Sequence, residues 1–245
     1  MRVRYAKRGR LRFTSHRDFQ RALERALRRA AVPIAYSAGF TPHPRVSYAG
    51  AAPTGAASEA EYLEIGVTRR CDPDEVREAL DRALPPGLDV LEVVEAGSGV
   101  LADRLTAGRW EIVLPDQDAE QAESAVAAFL ARDSVEVERL TKSGRRRFDA
   151  RGAVVSLVVV PGDEAASELG RAAVAAGRPC AILQLVVRHS TPAVRPDDVL
   201  AALRAAADLA PVSPSQVTRL SQGPLDEVEG TVADPLASDR DAGGA

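Results

Sequence analysis

The chain has 245 residues, of which 45% are hydrophobic, 27% charged and 4% aromatic, with a formal net charge of −3. That length and apolar content suffice for one large or two ordinary globular domains, and no run approaches the roughly 18 apolar residues of a membrane span. The opening MRVRYAKRGRLRF lacks the apolar stretch of a secretory signal, so the expected location is cytoplasmic. Cys71 and Cys180 lie far apart without metal-ligand spacing, which argues against a disulfide framework or a zinc site and for two small core residues.

Charge is unevenly placed. The first fifty residues hold twelve basic side chains, eleven of them arginine, against Asp18 and Glu24, a net of +10 that leaves −13 for the remainder. Such polarity suggests an anionic partner at the N-terminal end. Arginine favours bidentate phosphate contact over a merely solvated basic face, although a GC-rich coding bias would also enrich it.

Taken in chain order, RVRYAK alternates as a strand, RGR turns, and LRF resumes the pattern. In TSHRDFQRALERALRRAAVP, Ser15 is a natural N-cap and Asp18 the third-position partner of a capping box. Phe19, Ala22, Leu23, Ala26, Leu27 and Ala30 then repeat at helical spacing. The spacing predicts a helix over about 16–31, ended by Pro33, with Arg17, Arg21, Arg25 and Arg28 or Arg29 on its other side. IAYS and RVSYA read as strands around the loop SAGFTPHP, APTGAASEA reads as a loop, and EYLEIGV as a strand. Asp72 caps a helix with Pro73 at its first position, and LDVLEVVEA closes a β-α-β-β-α-β order.

The second half offers the same order. RWEIVLP is a strand, DAEQAESAVAAFLAR a helix, and VEVERL and RRFDARGAVVSLVVV strands around the turn KSGR. CAILQLVVRH is a strand, RPDDVLAALRAAADL a helix and SQVTRL a last strand. The expected architecture is α+β, two ferredoxin-like units in tandem: residues 1–96 with the basic helix, a linker over 97–108, residues 109–222, and an acidic tail over 223–245 read as disordered. Gly97-x-Gly99-x-x-Ala102 after a strand superficially matches a dinucleotide fingerprint, but LADRLTAGR is too short for its crossover helix.

Candidate chemistry centres on two histidines. His16 begins a helix, where exposed amides favour an anion and a neutral imidazole could exchange a proton with a ribose hydroxyl or phosphate; equally, it could complete the cap. His43 is held extended by Pro42 and Pro44 after Gly39, and a structural loop needs no histidine there. His189 ends a strand without company and reads as structural. The site loop comprises Ser15, Asp18, Ser37, Gly39, Phe40, Pro42, His43, Pro44, Glu59 and Glu61; Glu59 and Glu61 read either as part of a small-molecule or partner surface or as a solvated strand edge. Arg10, Arg12, Arg17, Arg21, Arg25, Arg28 and Arg45 are the candidate phosphate ligands. Tyr5, Phe13, Phe40 and Tyr48 are the available stacking residues, few enough that backbone and shape contacts should dominate.

GRLRFTSHRDFQRALERALRRA, YSAGFTPHPRVSYA and GAASEAEYLEI, with VERLTKSGRRRFDAR and VTRL, resemble the bacterial radical-SAM-linked protein family, a family of unknown function. Departures at Thr41 and at Asp18-Phe19 leave both histidines in place. The resemblance implies an RNA-related accessory role beside a radical-SAM protein carrying a cobalamin-type domain. The chain has no Cys-x-x-x-Cys-x-x-Cys, so the cluster would belong to that partner, and no cofactor is expected here. The expected function is an RNA-binding accessory module in tRNA or rRNA modification or processing, with RNA and the radical-SAM protein as partners and no membrane. The alternative is a metal-independent endoribonuclease using His16 and His43, by architectural likeness to repeat-cleaving CRISPR RNA endonucleases.

Overall fold

The computed structural model describes residues 1–141, 144–211 and 213–243, with side chains to residue 241. The protein is α+β and divides into two compact units, one of residues 1–105 with 234–245 and one of residues 106–233.

In the first unit, β1 (Arg2–Lys7) leads through a 3-10 turn (Gly9–Phe13) to α1 (His16–Arg29), then β2 (Val46–Ala49), β3 (Ala57–Ile65), α2 (Pro73–Ala83) and β4 (Val90–Val94). The strands form an antiparallel sheet in the order β4-β1-β3-β2. One face is packed by the apolar stripe of α1 (Phe19, Leu23, Ala26 and Leu27) and by Val76 and Leu80 of α2, against Val3, Tyr5, Leu63 and Ile65. Asp72 caps α2 as its sequence position requires, accepting from the amides of Asp74 at 2.9 Å and Glu75 at 3.1 Å.

The sequence expectations need local correction. Residues 9–13 coil into a 3-10 turn where LRF was expected to resume a strand, because Gly9 takes a left-handed φ of +53° and turns the chain. IAYS contributes only the isolated bridges Ile34–Val67 and Tyr36–Pro44. Strand β3 begins at Ala57, inside the stretch expected as a loop, and the solvated edge envisaged for Glu59 and Glu61 is removed by the burial of Glu61 and the pairing of Glu59 with Arg8. Residues 97–108, expected as a linker, hold the short helix α3 (Leu101–Arg104), with Leu101 fully buried.

In the second unit the order is β5 (Ala107–Pro115), α4 (Ala119–Leu130), β6 (Glu136–Thr141), β7 (Gly144–Asp149), β8 (Val154–Val160), α5 (Glu168–Ala175), β9 (Cys180–Arg188), α6 (Pro196–Ala207) and β10 (Gln216–Gly223). Its main sheet runs β10-β5-β9-β8, again antiparallel, while β6 and β7 form a separate two-stranded ribbon. Lys142 and Ser143, expected in the turn KSGR, lie outside the described residues. Helix α5 was not expected; the Glu111 carboxylate, wholly buried on β5, fixes its start by accepting from the amides of Ala166 at 2.7 Å and Ser167 at 3.0 Å and from the Ser167 hydroxyl.

The acidic C-terminal stretch was expected to be disordered, and this is overturned. After β10 come the small hairpin β11 (Leu225–Asp226) and β12 (Thr231–Val232), then α7 (Ala237–Gly243), which belongs to the first unit. Composition misled because the acids have distant basic partners: Glu227 pairs with Arg188 at 2.5 Å, and Asp239 with Arg2 at 2.6 Å and Arg104 at 2.9 Å. Leu236 is buried with Tyr62, Val94 and Leu101 on the second face of the first unit's sheet.

Candidate nucleic-acid interface

The fold sorts the N-terminal basic residues into two groups. Arg2 is buried against Glu64 at 2.8 Å and Asp239, and Lys7 is buried with its ammonium on the carbonyls of Ala52 and Pro53. Arg8 clamps Glu59, reaches Asp89 at 2.8 Å, and is held protonated more firmly by the Glu59 hydrogen bonds. These charges serve the fold. Among the described residues, Arg10, Arg17, Arg25, Arg28 and Arg45 are exposed and make no ion pair, and Arg21 has only a 4.0 Å approach to Asp18. Arg12 lies over the Phe13 ring at 4.6 Å and donates to the Gly9 carbonyl at 3.3 Å.

Why a stripe forms is a matter of helical period. Steps of four and three residues place Arg17, Arg21, Arg25 and Arg28 on one side of α1, opposite the buried Phe19, Leu23 and Leu27, over about 16 Å of axis. Ser15 starts the helix: its hydroxyl accepts from the Asp18 amide at 3.2 Å and donates to the Asp18 carboxylate at 2.7 Å. Ser15 and Asp18 therefore satisfy each other.

The structure gives the two histidines different neighbours. The exposed His16 ring meets Tyr48 edge-on at 4.8 Å, with its Nε2 3.1 Å from the Gln20 amide nitrogen. Tyr48 in turn meets Phe19 at 6.0 Å, and Phe19 stacks on Tyr5 at 4.5 Å. Burial, followed by the nearby Glu24 carboxylate, pushes the Tyr48 phenol up to about 12. His43 sits in the exposed loop, where its amide donates to Ser37 Oγ at 3.0 Å and its carbonyl accepts from the Ser37 amide at 2.8 Å. Among the described residues, no hydrogen bond or ring contact joins His16 to His43.

The loop over residues 37–43 is held at its base. Arg45 donates its amide to the Ala35 carbonyl at 2.8 Å, Ala35 to Gly66 at 2.7 Å, and Thr68 to Pro33 at 2.8 Å. These bonds hang the loop beyond the last residue of β3. The 3-10 turn before α1 is tied beyond the other end of that strand, where the Gly55 amide donates to the Arg12 carbonyl at 2.8 Å. At the loop tip Gly39 takes φ +126°, open only to glycine, and Phe40 is fully exposed.

Glu59 and Glu61 do not join this surface. Glu59 is occupied by Arg8, and Glu61 is buried on β3 with its carboxylate accepting from the Ala52 amide at 3.2 Å. Pro42 and Pro44 flank His43 as the sequence indicates, with Pro44 in the bridge to Tyr36. Both cysteines are partly exposed and unpaired by disulfide, so neither is a closed core residue.

Counting charge by segment missed a second basic element. The β6–β7 ribbon exposes Arg145, Arg146 and Arg147, with Arg145 and Arg147 sharing Glu138. It is fastened by Arg139, which bonds Asp198 at 2.7 Å and lies over Phe148 at 4.9 Å. The run RRR was visible in the sequence; its exposure on a two-stranded ribbon was not.

A cavity of about 680 Å³ in the first unit is lined by Arg70, Asp72, Glu95, Asp239 and Arg240 among others. Its polar groups are already committed: Asp72 to α2, Arg70 to Glu95, Arg240 to Glu92 and Asp239 to Arg2. Among the described residues no three His, Cys, Asp or Glu side chains cluster to hold a metal ion, and no helix is long and apolar enough to cross a membrane.

Fold and surface together define a two-unit α+β protein with an exposed arginine-lined helix beside a hydrogen-bonded loop. Residues 1–196 match the family described as an uncharacterized protein conserved in bacteria (DUF2344), and the chain belongs to that family. A search of curated proteins finds no match to the chain.

Proposed function

We propose that this protein is an RNA-binding accessory module that works beside a radical-SAM protein with a cobalamin-type domain, in tRNA or rRNA modification or processing. The observation that carries the RNA reading is the exposed stripe of Arg17, Arg21, Arg25 and Arg28: among the described residues Arg17, Arg25 and Arg28 make no ion pair, and Arg21 reaches Asp18 only at 4.0 Å. An arginine without an internal partner is free to make a bidentate contact with phosphate. The radical-SAM partnership rests on the motifs Ser15-His16-x-Asp18, Gly39-Phe40-x-Pro42-His43-Pro44 and Ser58-Glu59-x-Glu61. We read each unit as ferredoxin-like; the repeated strand orders β4-β1-β3-β2 and β10-β5-β9-β8 support this.

The test is fluorescence-anisotropy binding of tRNA and rRNA fragments to the full chain over a series of salt concentrations. Affinity should fall steeply with salt, and an Arg17/Arg25/Arg28→Ala variant should lose most of it. Binding that ignores salt, or survives the triple substitution, refutes the reading. Co-purification with the radical-SAM protein, with and without RNA, tests the partnership. RNA cut in EDTA by the wild type and spared by His16→Ala or His43→Ala would replace the binding module with a ribonuclease.

A further inference from the structure

We infer that the ligand of the α1 surface is unpaired RNA, with bases stacking on Phe40 and Phe13 at the two ends of the arginine stripe. This rests on the RNA reading above and specifies the strand form that the surface takes.

Of the four aromatic residues that the sequence offered for stacking, the fold withdraws two. Tyr5 is 5% exposed and stacked on Phe19, and Tyr48 is half-buried between Phe19 and His16. Phe13 is 59% exposed and Phe40 is fully exposed. A phenyl ring in water contributes nothing to folding, yet Phe40 is held out by an ordered loop: the Tyr36–Pro44 bridge, the two Ser37–His43 hydrogen bonds and the glycine turn at Gly39. Fixing the loop in advance reduces the entropy lost when a base settles on the ring.

The placement of the rings favours a single strand. Phe13 stands in the turn that enters α1, and Phe40 on the loop hung from the segment that leaves it. Their anchors lie beyond opposite ends of β3, whose eight steps span about 27 Å. Between them along the chain run the arginines of α1. A duplex keeps its bases stacked on one another and offers rings only its two ends, whereas an unpaired strand exposes a base face at every nucleotide. Arg12 covers one face of the Phe13 ring at 4.6 Å, so a base would stack on the opposite face with a cation behind the ring. An apolar partner-protein groove would also accept Phe40, but it would not call for the exposed arginines of α1.

The experiment measures binding of the full chain to an unpaired RNA of about ten nucleotides and to the same sequence as a duplex. The unpaired strand should bind more tightly, and Phe40→Ala and Phe13→Ala should each weaken it by about tenfold while barely affecting the duplex. Phe40→Trp should retain affinity, with indole emission quenched on binding, and Phe40→Leu should not, which separates stacking from apolar bulk. If both alanine variants bind unpaired RNA like the wild type while the arginine variant does not, the stacking inference fails and the phosphate reading stands. Equal affinity for duplex and single strand, or a Phe40→Ala defect seen only in capture of the radical-SAM protein, also overturns it; absence of any RNA binding overturns both readings.

Discussion

Arg2 and Asp239, separated by 237 positions, form a buried ion pair in which Arg2 Nη1 donates to Asp239 Oδ1 at 2.6 Å, with both side chains shielded from solvent. Arg104 at 2.9 Å and the Gly97 amide at 3.0 Å complete the acceptor shell of the carboxylate, while Glu64 and the Gly99 carbonyl hold the rest of the Arg2 fork. Burying charge is costly, and this pair persists because the polar atoms around it are matched. Removing one side should cost much more than exchanging both.

Asp239→Ala is therefore expected to destabilise the protein by about 3 kcal/mol, since it takes from Arg2 and Arg104 the one carboxylate that they share. Urea unfolding followed by circular dichroism on the full chain measures this. A loss below about 0.5 kcal/mol would mean that α7 contributes nothing to the first unit.

The same carboxylate sets an acid dependence. Burial pushes the Asp239 carboxyl up, but the hydrogen bonds from Arg2, Gly97 and Arg104 outweigh it and hold the group below its ordinary value. A depressed native value gives stability that is fully present above the unfolded carboxylate value near 4 and is lost as pH falls through the native one. Wild type should consequently lose stability more steeply than Asp239→Asn below about pH 4, in unfolding free energies measured between about pH 2 and 6. Parallel curves would refute the assignment.

Phe19 joins the helix to the sheet through its stack on Tyr5 and its edge contact with Tyr48. Phe19→Ala should cost about 3–5 kcal/mol, whereas Arg25→Ala, on the exposed side of the same helix, should alter stability by less than about 0.5 kcal/mol. Arg25→Ala should instead lower the salt slope of RNA binding by about 0.7, as expected for one lost phosphate contact on a single strand. The two variants separate folding from binding on one element.

Ser15 was a candidate site residue by position, and its geometry is that of a cap. Ser15→Ala should cost about 1 kcal/mol, with Ser15→Asp or Ser15→Asn recovering part of it. RNA affinity should change little at saturating folded fraction, which anisotropy titration checks. A large affinity loss with unchanged stability would return Ser15 to the binding surface.

Gly170 has no room for a methyl group. A Cβ there would lie 2.4 Å from the Glu111 carboxylate and 3.1 Å from Ala165 Cβ. Because that carboxylate holds the start of α5, Gly170→Ala should lower the melting temperature, while Gly177→Ala, strained by a φ of +67° but meeting no neighbour within 4 Å, should do so less. Thermal unfolding of the two variants decides this.

Periodicity and caps carry their information locally, and so the sequence alone determined much of this protein. The three-four spacing from Phe19 to Ala30 placed α1 and its arginine face, Asp72-Pro73 placed the start of α2, and the order of elements indicated two α+β halves. The proline-flanked His43 in an exposed loop was equally legible. What the sequence could not determine was which charges remain available, because pairing depends on contacts between distant positions. Arg2 and Arg8 count the same as Arg17 and Arg25 in composition, yet the first two are consumed by Glu64, Asp239, Glu59 and Asp89. The acidic C-terminal stretch read as disordered for the same reason: its partners Arg2 and Arg104 are more than 130 residues away. Only the tertiary structure decided that Glu61 is buried, that His16 faces Tyr48 rather than His43, and that Phe13 and Phe40 stand in solvent while Tyr5 and Tyr48 do not. Local pattern fixes which face of a helix or strand is apolar; burial and pairing follow from what the folded chain brings against it.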